Sequence, residues 1–255
     1  MSCRICGGPT AEVFRKRILD RHDIAYLRCG ACGFLQTEEP FWLAQAYEEP
    51  LSAADTGLVS RPLSLAPHIE LIIRRGFDLH GRFLDYGGGP GLFVRLMRDR
   101  GFNFYRQDRY VAPILCRYFD LEDLPVHERR FELVTAFELL EHLPRPGIEI
   151  REMLNLSDCI LCSTELVPGG SIGDIETWWY LGLAHGQHIS FFTRDSLSAM
   201  ASSVGCRYLQ LSPNLHCITR LADIQERLDR DPDMRNLDSL TWPDMEYVLS
   251  RRTKS

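Results

Sequence analysis

The sequence predicts an α/β fold, a doubly wound parallel sheet flanked by helices, with a small cysteine-rich unit ahead of it. From residue 82 onward, apolar segments of strand length alternate with amphipathic segments of helix length, the pattern of parallel sheets. Before them, the first 32 residues contain two C-x-x-C pairs. The 255 residues suffice for one good-sized domain and this smaller appendage.

The N-terminal residues 1–38 predict a zinc-ribbon-like unit. Its two C-x-x-C pairs are separated by 22 residues, and each is followed at once by glycine, where the backbone turns tightly around a metal. The alternating segments EVFRKRILD and HDIAYLRC predict two short strands between the pairs. Four thiolates leave no open coordination position, so the predicted site is structural Zn²⁺ held by Cys3, Cys6, Cys29 and Cys32.

Composition narrows the function classes. The net charge of −6 and the pI near 5.8 disfavour a general nucleic-acid surface. No apolar stretch approaches the ~20 residues of a membrane-spanning helix, and the N-terminus lacks the apolar core of a secretion signal. Nine cysteines, an odd number, indicate thiols and metal in a reducing compartment. We therefore expect a cytoplasmic location without membrane insertion; the oligomeric state stays open.

Residues 39–80 predict a helical linker or cap, with one helix over about 64–75. Residues 81–219 predict the main domain, whose elements alternate in chain order: RFLDYG, GLFVRLMRDRG, NFYRQD, FELVTAF, GIEIREMLNL, DCILCST, RDSLSAMASSVG, CRYLQLS and LHCITR. Residues 220–255 predict a tail of one or two amphipathic helices. Cys159 and Cys162 form a third C-x-x-C pair inside a predicted strand, where they would face opposite ways, so we interpret them as buried thiols.

A glycine turn follows the first strand of the main domain. A dinucleotide-binding turn would place its third glycine where Leu92 stands, and no Gly-Lys-Ser/Thr phosphate loop is present. The run Asp85-Tyr-Gly87-Gly-Gly89-Pro-Gly91 instead resembles motif I of class I S-adenosylmethionine-dependent methyltransferases. Glycines allow close approach to the methionine moiety of that cofactor, and acidic side chains suit its sulfonium and ammonium charges. A purely structural glycine turn is the alternative.

The resemblance covers about residues 80–210 and implies a Rossmann-like class I methyltransferase sheet. By it, Asp85, Gly87, Gly89 and Gly91 would line the S-adenosylmethionine site, and Asp108 would accept the ribose hydroxyls. Asp120 would face the adenine amino group, with Glu122 and Asp123 as rival acids, and Glu138 would lie near the cofactor. About twenty residues separate Asp108 from Phe131, so the second helix and third strand are expected to be abbreviated.

A cluster of polar residues follows the strand FELVTAF. The spacing of Glu138, Glu141 and His142 predicts one face of a helical turn. These groups, with His188 or His185, suit Mg²⁺ or Mn²⁺, and the pattern resembles metal-assisted O-methyltransferases of quinone-precursor and RNA-end type. Metal-free relatives carry a similar segment, in which the histidine lines the substrate pocket or acts as a general base. A structurally satisfied pair is the third alternative.

The segment TWWYLGLAHGQHISFFT is the second dense stretch. Trp178, Trp179 and Tyr180 offer aromatic faces for a sugar ring or, equally, cover a sheet edge. Alternation predicts His188, Ser190 and Phe192 on one face. The segment resembles an element of bacterial methyltransferases of sugars and surface glycans, which implies His188 as a candidate general base. A core histidine bonded to backbone is the alternative.

Two further resemblances concern the N-terminal half. Residues 47–62, with Tyr47 and Arg61, resemble the segment that caps the cofactor in the same sugar and glycan group. A four-cysteine unit ahead of the class I domain is also the order found in zinc-led sugar methyltransferases of bacterial secondary metabolism.

The predicted function is methyl transfer from S-adenosylmethionine to a small-molecule or glycan acceptor, with a sugar hydroxyl favoured. His188 or His142 would take the proton, and Glu141 completes the catalytic set. Two alternatives stay open. One is a metal-assisted O-methyltransferase acting on an RNA end or a catechol. The other is a non-catalytic scaffold in which the ribbon binds a partner.

Overall fold

The computed structural model describes residues 1–48 and 57–252. The strands are β1 (Thr10–Ile18), β2 (His22–Cys29), β3 (Leu35–Thr37), β4 (Arg82–Tyr86), β5 (Asn103–Gln107), β6 (Leu133–Phe137), β7 (Cys159–Ser163), β8 (Ser190–Phe191), β9 (Arg207–Gln210) and β10 (Leu215–Thr219). The helices are α1 (Leu43–Ala46), α2 (Ser60–Gly76), α3 (Leu92–Asp99), α4 (Pro146–Leu156), α5 (Ile172–Glu176), α6 (Arg194–Ser203), α7 (Ile224–Leu228) and α8 (Thr241–Arg252).

The chain divides into two compact units. The first unit comprises Met1–Ala54, Phe137–Leu154 and Leu161–Arg220. The second unit comprises Asp55–Ala136, Asn155–Ile160 and Leu221–Ser255. The predicted divisions after residues 38, 80 and 219 stay predictions.

The first unit contains an antiparallel sheet of order β1-β2-β3-β8. Alternation along β1 turns Phe14 and Ile18 into the core, and Phe14 stacks on Tyr26 of β2 with ring centroids 4.7 Å apart. The sheet of the N-terminal ribbon also includes a strand from much later in the chain. β3 pairs with β8, from far along the chain, with Gln36 opposite Ser190, so ribbon and His188 segment share one sheet.

The second unit is built around β4, which lies between β5 and β6 and is parallel to both. Phe83 and Leu84 of this strand are fully buried, as expected for a strand covered on both faces. α3 starts at the glycine turn and buries Phe93, Val94 and Met97. The helix predicted over 64–75 is present as α2, and it is longer at its N-terminal end.

The larger sheet has the order β5-β4-β6-β7-β10-β9, with β9 antiparallel to β10. The predicted α/β fold with parallel strands is therefore confirmed. Residues 108–132 are all described, and they hold only two single-turn 3₁₀ helices, Leu121–Asp123 and Val126–Glu128, plus an isolated bridge between Arg106 and Asp120. The predicted abbreviation of the second helix and third strand is confirmed.

The C-terminal residues of the second unit form α7 and α8, in agreement with the predicted helical tail. α8 is attached by Asp244, whose carboxylate accepts two hydrogen bonds of 2.7 Å from Arg98 of α3 and one of 2.8 Å from Arg95. Arg98 and Asp244 are both 5% exposed. The Arg98 guanidinium also lies 3.9 Å from the ring centroid of Phe119, a cation–π contact. None of the described helices has both the length and the apolarity to cross a bilayer.

Candidate functional site

The two N-terminal C-x-x-C pairs converge in the first unit. The sulfurs of Cys3 and Cys32 are 3.7 Å apart, and those of Cys6 and Cys29 are 3.5 Å apart. All four lie within 4.8 Å of one another. A tetrahedral zinc with bonds of ~2.3 Å would separate its sulfurs by about 3.8 Å. The backbone amides of Ile5 and Ala31 donate to Cys3 and Cys29, contacts that favour thiolates, so the donor set fits a four-coordinate zinc.

The glycine turn after β4 has the backbone that its sequence predicts. Gly87, Gly89 and Gly91 have φ values of 75°, 54° and 88°, the left-handed region that only glycine adopts readily. A Cβ at Gly91 would overlap the sulfur of Cys116, whereas a Cβ at Gly89 would meet no atom within 4 Å. Gly91 is therefore required for packing, and Gly89 leaves open space in which a ligand can approach the backbone.

Asp85 lies at the end of β4, directly before this turn. It is only 4% exposed, and its Oδ1 accepts a 2.7 Å hydrogen bond from the hydroxyl of Thr135. Burial raises the pKa of Asp85 to about 7; the charge of Asp108 adds to that rise, and the Thr135 hydrogen bond opposes it. A Cβ at Gly88 would stand 2.7 Å from Asp85 Oδ2, so this carboxyl group packs directly under the turn.

Asp108 follows β5 and is hydrogen-bonded to the glycine turn. Its Oδ2 accepts from the amide of Gly89 at 2.9 Å, and its Oδ1 accepts from the amides of Tyr110 and Val111 at 2.8 Å each. A carboxylate has about four acceptor positions, so three are used and about one is left for a ribose hydroxyl. Asp108 therefore holds the loop in place, and its contact with a ribose stays a prediction.

Asp120, the predicted adenine-side acid, is ion-paired within the second unit. Arg106 Nε donates to its Oδ1 at 2.6 Å, and the same guanidinium donates to the carbonyl oxygens of Gly89 and Val111. Arg106 is 3% exposed. Of the rival acids, Asp123 caps the following 3₁₀ turn by accepting from the Asp120 amide. Sequence reasoning gave Arg106 no role, although a lone arginine in a strand flanking the glycine turn was a usable signal.

In the first unit, Tyr180 joins the two predicted glutamates. Its hydroxyl lies 2.5 Å from Glu141 Oε1 and 3.0 Å from Glu138 Oε2, and Ser163 donates to Glu138 Oε1 at 2.7 Å. Glu141 is fully buried, and its Oε2 has no hydrogen-bond partner among the described residues. Burial, with the neighbouring charge of Glu138, raises the pKa of Glu141 well above its usual range.

The predicted helical face is only partly formed. Glu138 has a φ of 48°, an unusual left-handed conformation, and the turn that follows is a 3₁₀ helix over Leu140–His142. Glu138 and Glu141 therefore converge on Tyr180, whereas His142 faces Tyr47, whose hydroxyl is 3.1 Å from His142 Nδ1.

His188 is the second histidine that meets this cluster. Its ring centroid is 4.7 Å from that of His142, and one ligand atom each of Glu141, His142 and His188 lie within 4.8 Å of one another. His188 Nδ1 is 2.6 Å from the carbonyl oxygen of Tyr180. A carbonyl only accepts, so Nδ1 carries a proton and the neutral ring has its lone pair on Nε2. His185 packs against His188 at 4.7 Å but lies outside that three-residue group.

The aromatic run separates into two environments. Trp178 packs on Phe191 and Tyr180 in the core, and Tyr180 is 1% exposed. Trp179 is 75% exposed and meets the Tyr180 ring edge-on at 5.3 Å. Cys159 and Cys162 are fully buried in β7, which confirms the prediction of buried thiols.

The predicted capping segment, residues 47–62, is described in part. Residues 49–56 lie outside the described residues. Tyr47 contacts His142, and Arg61 lies in α2. The sequence did not identify Thr135 and Ser163 as partners of the acids. Thr135 is the one polar residue in the middle of β6 and Ser163 is the last residue of β7, and these polar residues in apolar strands were the available signal.

Comparison with known proteins gives one family match. The model of a family described as a methyltransferase domain matches residues 61–211. No curated protein sequence matches the chain.

Several solved structures are similar. A methyltransferase of calicheamicin biosynthesis in its SAH-bound form is 16% identical, with a TM-score of 0.42, 62% of this chain and 54% of that chain covered. The mitomycin 7-O-methyltransferase is 12% identical, with a TM-score of 0.45 and coverages of 69% and 59%. Magnesium protoporphyrin IX methyltransferase from Synechocystis PCC 6803 with bound SAH is 13% identical, with a TM-score of 0.46 and coverages of 70% and 93%. The chain thus spans less than two thirds of the first two.

Proposed function

Because the chain belongs to the methyltransferase-domain family, we propose that it transfers a methyl group from S-adenosylmethionine to a hydroxyl of a small-molecule acceptor, a sugar or glycan precursor. The observation that carries the proposal is the glycine turn after β4. Its three left-handed glycines lie beside two carboxylates, and Gly89 opens onto unfilled space.

The donor site is assigned to the second unit. Gly87 and Gly89 have the left-handed backbone that glycine adopts readily, and Gly89 borders open space where a ligand can approach. Asp108 offers an acceptor to the ribose hydroxyls. Asp85 packs against Gly88 and Gly91 packs against Cys116, so both residues support the turn. Asp120 is proposed as the adenine-side acid. To accept from the adenine amino group, its carboxylate gives up part of its ion pair with Arg106. When bound, S-adenosylmethionine supplies a methyl group on a cationic sulfur.

The acceptor chemistry is assigned to the first unit. His188 acts as the general base, because its protonated Nδ1 is committed to the Tyr180 carbonyl and its Nε2 then bears the lone pair. Glu138 is held by Ser163 and Tyr180, and His142 by Tyr47, so these side chains form ordered walls beside the base. Alignment of the acceptor oxygen at ~3 Å from the methyl carbon is the main contribution expected of the enzyme.

The sugar or glycan assignment is supported by Trp179. Its indole is 75% exposed and adjoins Tyr180, whose ring lies 4.7 Å from that of His188. An exposed aromatic face that is separated from the base by one ring suits an acceptor that has an apolar ring face and hydroxyls at its edge. Product analysis distinguishes the methylated atom, and a new carbon–carbon bond in the product would contradict O-methylation.

A metal-assisted O-methyltransferase is the second candidate, and one observation favours it. The buried Glu141 Oε2 lacks a partner among the described residues, and His142 and His188 complete a group whose ligand atoms lie within 4.8 Å. Carboxylate and imidazole donors suit Mn²⁺ or Mg²⁺. This candidate predicts activity lost with EDTA and restored by either ion. The zinc content must be measured alongside, because EDTA can also strip the cysteine site.

We also propose that the four cysteines hold one structural zinc and that the protein works in the cytoplasm. The sulfur separations match a tetrahedral site. A reducing compartment keeps such thiols available for metal.

The donor assignment is tested by calorimetric titration of S-adenosylhomocysteine into zinc-loaded protein. Asp108→Ala and Asp108→Asn are expected to weaken binding at least about tenfold, since either change removes an acceptor for ribose. Asp231→Ala, at an exposed acid of the same unit that has no assigned role, serves as the matched control and should bind like the wild type. Folded wild-type protein that binds no S-adenosylhomocysteine would favour the scaffold alternative.

A further inference from the structure

The ribbon and the His188 segment are joined by more than strand pairing. Ile189, the residue after His188, donates its amide to the carbonyl of Glu141 at 2.8 Å. Its carbonyl accepts from the amide of Thr37 in β3 at 3.1 Å. The backbone that carries the base is therefore held on one side by the Glu141 turn and on the other by the ribbon.

Arg4 adds a link from inside the first cysteine pair. It stands between Cys3 and Cys6, and its guanidinium donates to the carbonyl of Ile189 at 3.1 Å. The same guanidinium donates to the carbonyls of Thr37 and Glu38 at 2.9 Å each. The planar guanidinium of Arg4 thus bonds three carbonyls from two distant parts of the chain. Lysine, with a single ammonium group, does not reproduce this geometry.

The second cysteine pair contacts the other end of the segment 189–193, at Thr193. Thr193 donates its hydroxyl to the carbonyl of Cys32 at 2.8 Å. Thr193 also caps α6, accepting from the amide of Ser196. A Cβ on Gly33 would stand 3.3 Å from the Thr193 methyl group, so the approach is close. Residues 189–193 are therefore clamped between both cysteine pairs.

We propose that Arg4 is a positioning residue for methyl transfer, which acts through Ile189 to fix the backbone that carries His188. This inference rests on the proposed function, in which His188 is the base. The N-terminal ribbon then contributes to catalysis, because the correctly folded segment of residues 3–6 fixes the position of His188 through Arg4. The ribbon needs no contact with the acceptor to have this effect.

The test compares full-length, zinc-loaded wild type, Arg4→Met and Arg4→Lys. The matched control is Arg15→Met, in the same ribbon, whose guanidinium bonds Asp23. Four quantities are measured: zinc per chain, S-adenosylhomocysteine affinity, amide hydrogen exchange over residues 187–193, and methyl transfer to a panel of free hexoses and nucleotide-linked hexoses.

We expect Arg4→Met to keep its zinc and its S-adenosylhomocysteine affinity. Exchange over residues 187–193 should accelerate at least about tenfold, and kcat should fall about 10- to 100-fold, as expected for a displaced catalytic group. Arg4→Lys, which reaches fewer carbonyls, should lie between, and Arg15→Met should match the wild type. If Arg4→Met loses zinc, Arg4→Lys provides the comparison.

Unchanged exchange over residues 187–193 in a zinc-loaded Arg4 variant would overturn the proposal. Faster exchange with wild-type kcat would also overturn it, because Arg4 would then only brace the fold. A wild type that binds no S-adenosylhomocysteine contradicts the proposed function instead, and the exchange comparison still reports whether Arg4 holds the segment.

Discussion

At the residue scale, the ionisation of Asp85, the buried acid beside the glycine turn, makes the stability of the fold depend on pH. Its pKa is raised by burial to about 7, whereas an aspartate in an unfolded chain titrates near ~3.9. Between these values the folded chain holds a proton that the unfolded chain has lost, so the contribution of Asp85 to stability falls as pH rises from about 4 to about 7. Above pH 7 the full cost of the buried charge is present.

Asp85→Asn removes this cost and keeps an acceptor for Thr135. We expect the free energy of unfolding of the variant, relative to wild type, to rise by on the order of a few kcal/mol between pH 4.5 and pH 8. Urea unfolding at both pH values measures it, with Asp238→Asn as the exposed control. A difference that does not change with pH would show that Asp85 ionises in the fold as it does in water.

His188 carries the second prediction at this scale. His188→Gln removes the base, so kcat should fall about 10²- to 10⁴-fold, while the affinity for S-adenosylhomocysteine stays unchanged. His127→Gln is the matched control, because that side chain is 82% exposed and its Nε2 lies 3.7 Å from the neighbouring Glu128 Oε1, in a surface contact. Full activity in His188→Gln would move the role of base to His142.

At the scale of elements, the first prediction concerns the proposed zinc, which would join the two cysteine pairs at the ribbon sheet. Cys29→Ser removes one of four thiolates and leaves the others in a partly buried cluster. We expect zinc to fall from one equivalent per chain to near zero, and the N-terminal strands to become sensitive to protease, because structural zinc contributes folding energy directly. Metal analysis and limited proteolysis measure both. A metal-free N-terminus that resists protease would contradict the zinc assignment.

The attachment of α8 gives the other prediction for an element. Asp244→Ala leaves Arg98 buried beneath α8 without its carboxylate, a loss expected to cost about 3–5 kcal/mol of unfolding free energy. Glu246→Ala, on an exposed position of the same helix, should change stability by less than about 0.5 kcal/mol. Chemical denaturation compares the two, and equal stabilities would show that α8 contributes little.

At the scale of the whole molecule, the structural features that the sequence predicts correctly are those encoded in a local pattern of residues. The alternation of strands and helices, the paired cysteines and the glycine turn are encoded in consecutive residues, and the structure forms all three. The abbreviation of the helix and strand between β5 and β6 follows from the length of that segment alone, and the structure confirms it. The family match over residues 61–211 confirms the predicted methyltransferase domain.

Partners distant in sequence escaped prediction. Arg106 pairs with Asp120, Tyr180 bridges Glu138 and Glu141, and these contacts depend on which loops meet in space. The pairing of the ribbon strand β3 with β8 likewise joins segments about 150 residues apart. Alternation marked the segment that contains β8, but the three residues of β3 have too little periodicity to be recognised, and neither segment specifies its partner strand.

That pairing has a consequence for how the protein folds. Strands β1, β2 and β3 leave the ribosome early, but the partner of β3 is made about 150 residues later. During that interval β3 is a bare sheet edge, a feature prone to mispairing and aggregation. Contacts so far apart in sequence also slow folding. The proposed zinc, once captured by the nascent ribbon, would hold its two earlier pairings in register during synthesis, and the yield of folded protein would then depend on metal supply.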